Sequence, residues 1–156
     1  MIRRTFVALA SVFLFSMLGA FVTAQDVPYP TLPKGAGAVD KEAPKTFTAT
    51  PSGLKYRVLR KGTGAMPKAS NTVEVNYHGW LDNGKVFDSS YDRGKSIEFP
   101  LDGVIAGWTE GMQLVGKGGM IELEIPSKLG YGDDGAGRVI PPRATLHFLV
   151  ELVDVK

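Results

Sequence analysis

Cysteine is absent from the 156 residues of this chain, which excludes a disulfide framework, a thiolate nucleophile and a thiolate metal site. Histidine is nearly absent: His78 and His147 are the two present. Both occupy polar positions of alternating stretches, so each reads as a solvated strand histidine before a base or ligand. No HExxH or comparable metal spacing occurs, and no glycine cluster closes a strand-to-helix turn with a Walker lysine behind it. A GxSxG elbow is missing too. Glu122 and Glu124 share one face of a strand, but it is the face opposite the apolar one. They read as solvated, not as a glycosidase pair. Hydrolysis, phosphoryl transfer and redox chemistry therefore lack their usual groups, and neither a metal nor a cofactor is expected.

An excess of one charge is lacking as well. The formal net charge is +2, and that surplus sits in the first residues. Arg3 and Arg4 precede a nearly unbroken apolar run from Phe6 to Phe21, and Val22-Thr23-Ala24 follows with small residues. This is the pattern of a secretory signal peptide over residues 1–24, exported by the Sec route and cleaved after Ala24; a retained membrane anchor is the alternative. Without Arg3 and Arg4 the 18 basic residues become 16, equal to the 16 acidic ones. A neutral mature chain carries no electrostatic footprint for nucleic acid and no need of a membrane. The expected destination is the periplasm or the medium.

Residues 25–51 carry Pro28, Pro30, Pro33, Pro44 and Pro51 around Gly35-Ala36-Gly37. No hydrophobic period survives there, and each proline biases its neighbour toward extended backbone. The composition predicts a flexible linker. From Ser52 the texture changes to alternation. Leu54, Tyr56 and Val58 alternate with Lys55 and Arg57; Val73, Val75 and Tyr77 alternate with Glu74, Asn76 and His78. Asp82-Asn83-Gly84 is a hairpin turn signal before Val86-Phe87. Ile97 and Phe99 flank Glu98, Ile121 to Ile125 alternate with Glu122 and Glu124, and Leu146, Phe148, Val150 and Leu152 close the chain. Five or six half-buried strands are expected over residues 52–156.

One helix interrupts them. In Leu101 to Gly116, residues Ile105, Trp108, Met112 and Val115 recur at the period of a helical face. Asp102 is the expected N-cap and Gly116 the expected stop. Gly103, Gly107 and Gly111 fall one per turn, where each costs roughly 1 kcal/mol against alanine. Three such costs in line imply close approach of the helix to a sheet. The fold class is α+β: a twisted antiparallel sheet wrapped around one short helix.

Three stretches together carry a family resemblance. Asn76-Tyr-His-Gly-Trp-Leu-Asp-Asn-Gly-Lys-Val-Phe-Asp-Ser-Ser90, Val104-Ile-Ala-Gly-Trp-Thr-Glu-Gly111, and Tyr131-Gly132 with Ile140-Pro-Pro-Arg-Ala-Thr-Leu146 resemble the FKBP-type peptidyl-prolyl cis-trans isomerases. The resemblance runs in order from about Ser52 to Lys156. It implies an apolar pocket between helix and sheet, with Trp108 as its floor. Tyr77, Asp88, Ile105 and Tyr131 would be the residues that act on the substrate, Ile105 through its backbone N–H and Tyr131 through its hydroxyl. Phe87, Arg93, Ile97, Phe99, Val104, Val139, Ile140 and Phe148 would complete the binding surface. Ile97 departs from the aromatic residue common at that position. Implied partners are proline-containing polypeptides and macrolide inhibitors. Residues 25–51 are too short and broken for the helical dimerisation arm of some exported relatives, so a monomer is expected. A module that merely holds proline-containing segments would use the same pocket, as would a site for a small apolar ligand.

Overall fold

The computed structural model describes residues 25–156; the expected signal peptide, residues 1–24, lies outside the described residues. Among them no helix is long and apolar enough to cross a membrane. Apolar alternation becomes burial most directly in β3 (Thr72–Leu81), where Val73, Val75, Tyr77, Gly79 and Leu81 point inward and every residue between them is half-buried. Its neighbour β7 (Leu146–Val155) runs antiparallel along its whole length, with Tyr77 opposite Val150 and Gly79 opposite Phe148. The other strands are β1 (Thr48–Ala49), which falls inside the expected linker, β2 (Lys55–Arg60), β4 (Val86–Ser89), β5 (Ile97–Pro100) and β6 (Met120–Ile125). Among the described residues the seven strands form one antiparallel sheet in the order β1-β2-β6-β7-β3-β4, and β5 also pairs with β3. The Asp82-Asn83-Gly84 turn joins β3 to β4, with Gly84 at φ +78°, a conformation that glycine adopts without cost.

The helix is shorter than its periodicity predicts. It spans α1 (Ala106–Met112), and Leu101–Gly103 form a separate 3-10 turn. Asp102 lies in that turn and is not the N-cap; Ile105 takes that place with no side-chain cap. The interruption is local, because Val104 and Ile105 are extended (ψ 175° and 146°). Thr109 bridges the break by donating its hydroxyl to Leu101 O at 2.5 Å. At the far end Gln113 folds its amide back onto Thr109 O (2.7 Å) and Leu114 N–H tightens onto Gly111 O (3.1 Å), so the helix ends before Gly116.

Two of the three glycines account for how closely α1 lies on the sheet. A Cβ on Gly107 would stand 2.5 Å from Ile125 Cγ2, and one on Gly111 would stand 2.7 Å from Leu123 Cδ2. Gly103, outside the helix, has only Pro100 at 3.3 Å. The core between helix and sheet contains Trp108, Met112, Val115, Leu123, Ile125, Phe148 and Val150.

The outer face of the sheet departs from the alternation rule. Arg57 and Glu122, both at positions that predict solvent, are 1% and 5% exposed. Arg57 Nε–H donates to Glu122 Oε2 at 2.6 Å. What covers them is the segment 25–51, for which the composition predicts a free tether. It lies along this face, and Arg57 donates to the carbonyls of Val27 (2.7 Å), Pro28 (2.7 Å) and Lys45 (3.0 Å). The rings of Phe47 and Tyr29 stand 4.6 and 5.1 Å from the guanidinium. Leu59, Met120 and Leu149 make a second small apolar cluster there, joined by Val39 and Trp80. The segment is attached through backbone carbonyls and a cation, so no hydrophobic period was needed to hold it. Burial pushes the Glu122 carboxyl up, against the opposing pull of Arg57.

Gly107→Ala is expected to destabilise the fold by about 1–3 kcal/mol through overpacking against Ile125, read as a lower urea midpoint. Arg57→Ala leaves Glu122 buried without its partner and is expected to cost about 3–5 kcal/mol. The same variant should open residues 25–47 to limited proteolysis at protease concentrations that leave the unaltered protein intact.

Candidate active site

Between α1 and the concave face of the sheet lies a cleft of about 760 Å³, the size of a small-ligand site. Its base is Trp108, 4% exposed, projected from a helix that the two glycines let sink onto β6. Three rings meet the indole in T-shaped contacts: Tyr77 at 5.4 Å, Phe99 at 5.6 Å and Phe148 at 5.3 Å between centroids. Phe87 meets Phe148 the same way at 5.4 Å. Such pairs are worth about 0.5–1.5 kcal/mol beyond burial, and together they make a stiff wall. Gly79 is required beneath it, because a Cβ there would stand 2.7 Å from Phe87 and 2.8 Å from Phe148. The Trp108 indole N–H is buried and has no hydrogen-bond partner among the described residues.

One side of the cleft is polar. Tyr77 donates its hydroxyl to Asp88 Oδ2 in a short bond. Arg93 donates from Nη1 to Asp88 Oδ1 at 2.5 Å and from Nη2 to the Tyr77 hydroxyl oxygen at 2.8 Å. The three groups form a closed triangle. Burial pushes the Asp88 carboxyl up, but the bonds from Tyr77 and Arg93 outweigh it and hold the carboxyl below its usual range. Burial and the bond to Asp88 push the Tyr77 phenol up to about 12. At neutral pH Asp88 is a carboxylate with its oxygens occupied, and Tyr77 is neutral. Neither is free to act as a base.

The opposite rim belongs to the loop between β6 and β7. A bridge between Ala136 and Ile140 folds it back on itself, and Gly135 (φ +68°) is needed because a Cβ would lie 2.2 Å from Ile140 O. The loop brings Tyr131 and Val139 to the mouth, 43% and 46% exposed, with Ile140 buried behind them. At the helix end Val104 and Ile105 line the cleft. Ile105 O accepts from Trp108 and Thr109, while among the described residues its own N–H has no acceptor.

The structure thus brings Tyr77, Phe87, Asp88, Phe99, Val104, Ile105, Trp108, Tyr131, Val139, Ile140 and Phe148 around one cavity. Arg93 does not line it, and is joined to it through its bonds to Asp88 and Tyr77. Ile97 does not line it either; it pairs with Val75 and packs on the core cluster. Gly103, Ala136 and Gly137 also line it, although the resemblance assigns none of them to the pocket. Having little or no side chain, they carried no chemical signal to find. His147 sits on the far face, its Nε2 2.7 Å from Asp82 Oδ1, and stacks on Trp80 at 5.7 Å. His78 is half-buried, and burial pushes its imidazole down. Among the described residues no group of three or more His, Cys, Asp or Glu is gathered as for a metal ion.

A sheet curved around one short helix, with an aromatic cleft between them, defines an FKBP-like domain. The sequence pattern of the FKBP-type peptidyl-prolyl cis-trans isomerases matches residues 64–153, and the chain belongs to that family. A probable FKBP-type isomerase of Haemophilus influenzae is 55% identical over 111 residues, covering 71% of this chain and 46% of its own. FkpA of Escherichia coli is 53% identical over 112 residues, 72% of this chain and 41% of that one. The crystal structure of that E. coli protein matches with a TM-score of 0.69, over 70% of this chain and 51% of that chain. A peptidyl-prolyl isomerase structure from Pseudomonas syringae matches at 0.66 with 40% identity, over 70% of this chain and 80% of that one. The chain spans less than half the length of the H. influenzae and E. coli relatives.

Because the folded Tyr77 phenol holds its proton to about pH 12 and an unfolded tyrosine to about 10, the folded state binds more protons between those values. Stability is therefore expected to fall as pH rises through that window. In Tyr77→Phe, urea midpoints measured from pH 9 upward should decline less steeply.

Proposed function

We propose that this chain is a peptidyl-prolyl cis-trans isomerase acting on X-Pro bonds of exported polypeptides. The observation that carries the reading is the cleft itself: a buried indole floor, aromatic walls, and a polar side whose groups are already mutually satisfied. Rotating a peptide bond meets a barrier of about 18–20 kcal/mol, because rotation forfeits amide resonance. The cis and trans forms of X-Pro differ by only about 0.5–1 kcal/mol, so lowering that barrier is the whole task.

The planar amide is dipolar and the twisted one is less so. An apolar cleft that replaces water around the bond disfavours the planar form relative to the twisted one. The prolyl ring lies on Trp108 between Tyr77, Phe99 and Phe148. The Ile105 N–H and the Tyr131 hydroxyl hold carbonyls on either side, so that one part of the substrate turns against the other. Asp88, tied to Tyr77 and Arg93, is a fixed polar wall that accepts no proton. No nucleophile, metal or cofactor takes part. Export through the N-terminal segment would deliver the protein to clients in the envelope or medium, where slow X-Pro steps of tens of seconds limit folding. The chain acts as a monomer, and bulky macrolide inhibitors compete for the same cleft.

The test is cis/trans exchange of a short X-Pro peptide, followed by NMR at catalytic concentrations of the purified protein. Catalysed exchange, blocked by a macrolide and reduced about tenfold or more in Asp88→Ala and several-fold in Tyr131→Phe, is the expected result. A folded protein that binds the peptide without accelerating exchange would sink the isomerase reading and leave a holding module.

A further inference from the structure

Arg93 is the outermost member of the polar triangle; its backbone N–H closes a turn onto Ser90 O at 3.1 Å, and its guanidinium lies 5.7 Å from the centre of the Tyr77 ring. Its side chain is 41% exposed, and Asp92, Gly94 and Lys95 around it are exposed as well. An exposed ion pair stabilises only weakly, while ordering an arginine costs side-chain entropy. The backbone beneath Arg93 must therefore be held by something else. The segment from Ser89 to Ser96 is anchored at its start, where Ser90 N–H donates to Tyr77 O (2.9 Å) and Tyr77 N–H to Ser90 Oγ (2.8 Å). Its far end is tied where the Ser96 hydroxyl donates to Glu74 Oε1 at 2.5 Å, and between the two ends the side chain of Tyr91 reaches in to the sheet.

Tyr91 reaches away from the cleft and donates its hydroxyl to Glu151 Oε1 at 2.8 Å. Glu151 stands on β7 opposite Asn76, the residue before Tyr77, so this carboxylate is a rigid point of the scaffold. Its remaining capacity is taken up by two other parts of the chain. Gly37 N–H of the N-terminal segment donates to Oε1 at 2.7 Å, and Arg60 Nη2 donates to Oε2 at 2.9 Å. Arg60 also donates to Ala38 O at 3.1 Å. The Tyr91 ring lies beside Gly35, with Cδ1 4.0 Å from where a Cβ would stand.

We infer that Tyr91 and Glu151 are positioning residues for the isomerase cleft, and that residues 35–38 take part in setting its polar wall from the opposite face of the sheet. The inference rests on the isomerase reading given above. Tyr91 holds the turn that presents Arg93 to Asp88 and Tyr77; Glu151 holds Tyr91; Gly37 and Arg60 keep Glu151 aimed at it. Burial and the Glu151 carboxylate push the Tyr91 phenol up, which keeps it a neutral donor.

The experiment compares Tyr91→Phe, Arg93→Ala, their combination and Gly37→Pro in the full chain. Two readouts are followed: steady-state isomerisation of an X-Pro peptide, and titration of the Asp88 side-chain carbon by NMR. Tyr91→Phe keeps the ring and loses only the donor. It should raise KM about three- to tenfold with kcat nearly unchanged, and move the Asp88 midpoint up in the same direction as Arg93→Ala. The double variant should add little to Arg93→Ala alone, because both changes remove one interaction. Gly37→Pro, which removes the N–H that meets Glu151 and sets a Cβ 2.2 Å from Arg60 Nη1, disturbs both groups that aim Glu151 and should shift Asp88 the same way by a smaller amount. A merely structural tyrosine would lower stability and leave the Asp88 midpoint in place; that result, or full additivity with Arg93→Ala, overturns the inference. An unmoved Asp88 in Gly37→Pro removes the N-terminal segment from it. Should the unaltered protein catalyse nothing, the isomerase reading fails and the Asp88 titration still decides the positioning role.

Discussion

The distance between α1 and β6 governs this molecule. Interior packing is as dense as an organic crystal, so the helix lies as low as its smallest residues allow. Gly107 and Gly111 place bare backbone against Ile125 and Leu123. Trp108, between them in sequence, then reaches under the rings of Tyr77, Phe99 and Phe148. The break at Val104 and Ile105 belongs to the same arrangement. It frees the Ile105 N–H at the edge of the cleft, where a longer helix would have consumed it.

The cleft combines two environments that would destroy each other if they mixed. The aromatic walls exclude water, while the Asp88 carboxylate beside them would be costly if left unpaired. The triangle with Tyr77 and Arg93 resolves the conflict, because each oxygen of Asp88 meets a donor. In the proposed isomerase, a polar wall whose groups are already satisfied would guide a substrate without entering into chemistry with it. That suits a reaction in which no bond is broken.

The outer face of the sheet is organised by charge. Arg57 and Glu122 meet across β2 and β6, and the cation then gathers three carbonyls and two aromatic rings of the N-terminal segment. Pairing and hydrogen bonding are the terms on which a charge is buried. The result gives the sheet two covered faces, one by helix and one by strap, and makes residues 25–51 part of the folded body. At the other end of that face Glu151 joins the strap to the loop that carries Arg93.

Much of the architecture was legible along the chain. Alternation in β3, β6 and β7, the turn at Asp82-Asn83-Gly84, and the helical spacing of Trp108 and Met112 all follow from local side-chain chemistry, which a sequence displays directly. The glycines announced a close approach by their cost to a helix, without naming Leu123 and Ile125 as what they approach. Most of the cleft-lining residues could be named through the resemblance, since three separated motifs supplied an ordering that composition alone does not. Gly103, Ala136 and Gly137 could not, because a residue that contributes space leaves no chemical mark. Asp102 looked like an N-cap because the propensity is local, whereas the break at Val104 and Ile105 answers to the cleft beside it. For the same reason the alternation predicts solvent for Arg57 and Glu122, and the composition predicts a flexible linker for residues 25–51. Whether a charged residue on a strand is exposed depends on what another part of the chain lays over it. The sequence by itself determined the six strands from Lys55 onward, the presence of one helix and the apolar face of each; tertiary structure alone decided the strand at Thr48–Ala49, where the helix begins and ends, and which polar groups meet, because hydrogen bonds and ion pairs join residues whose separation along the chain carries no signal.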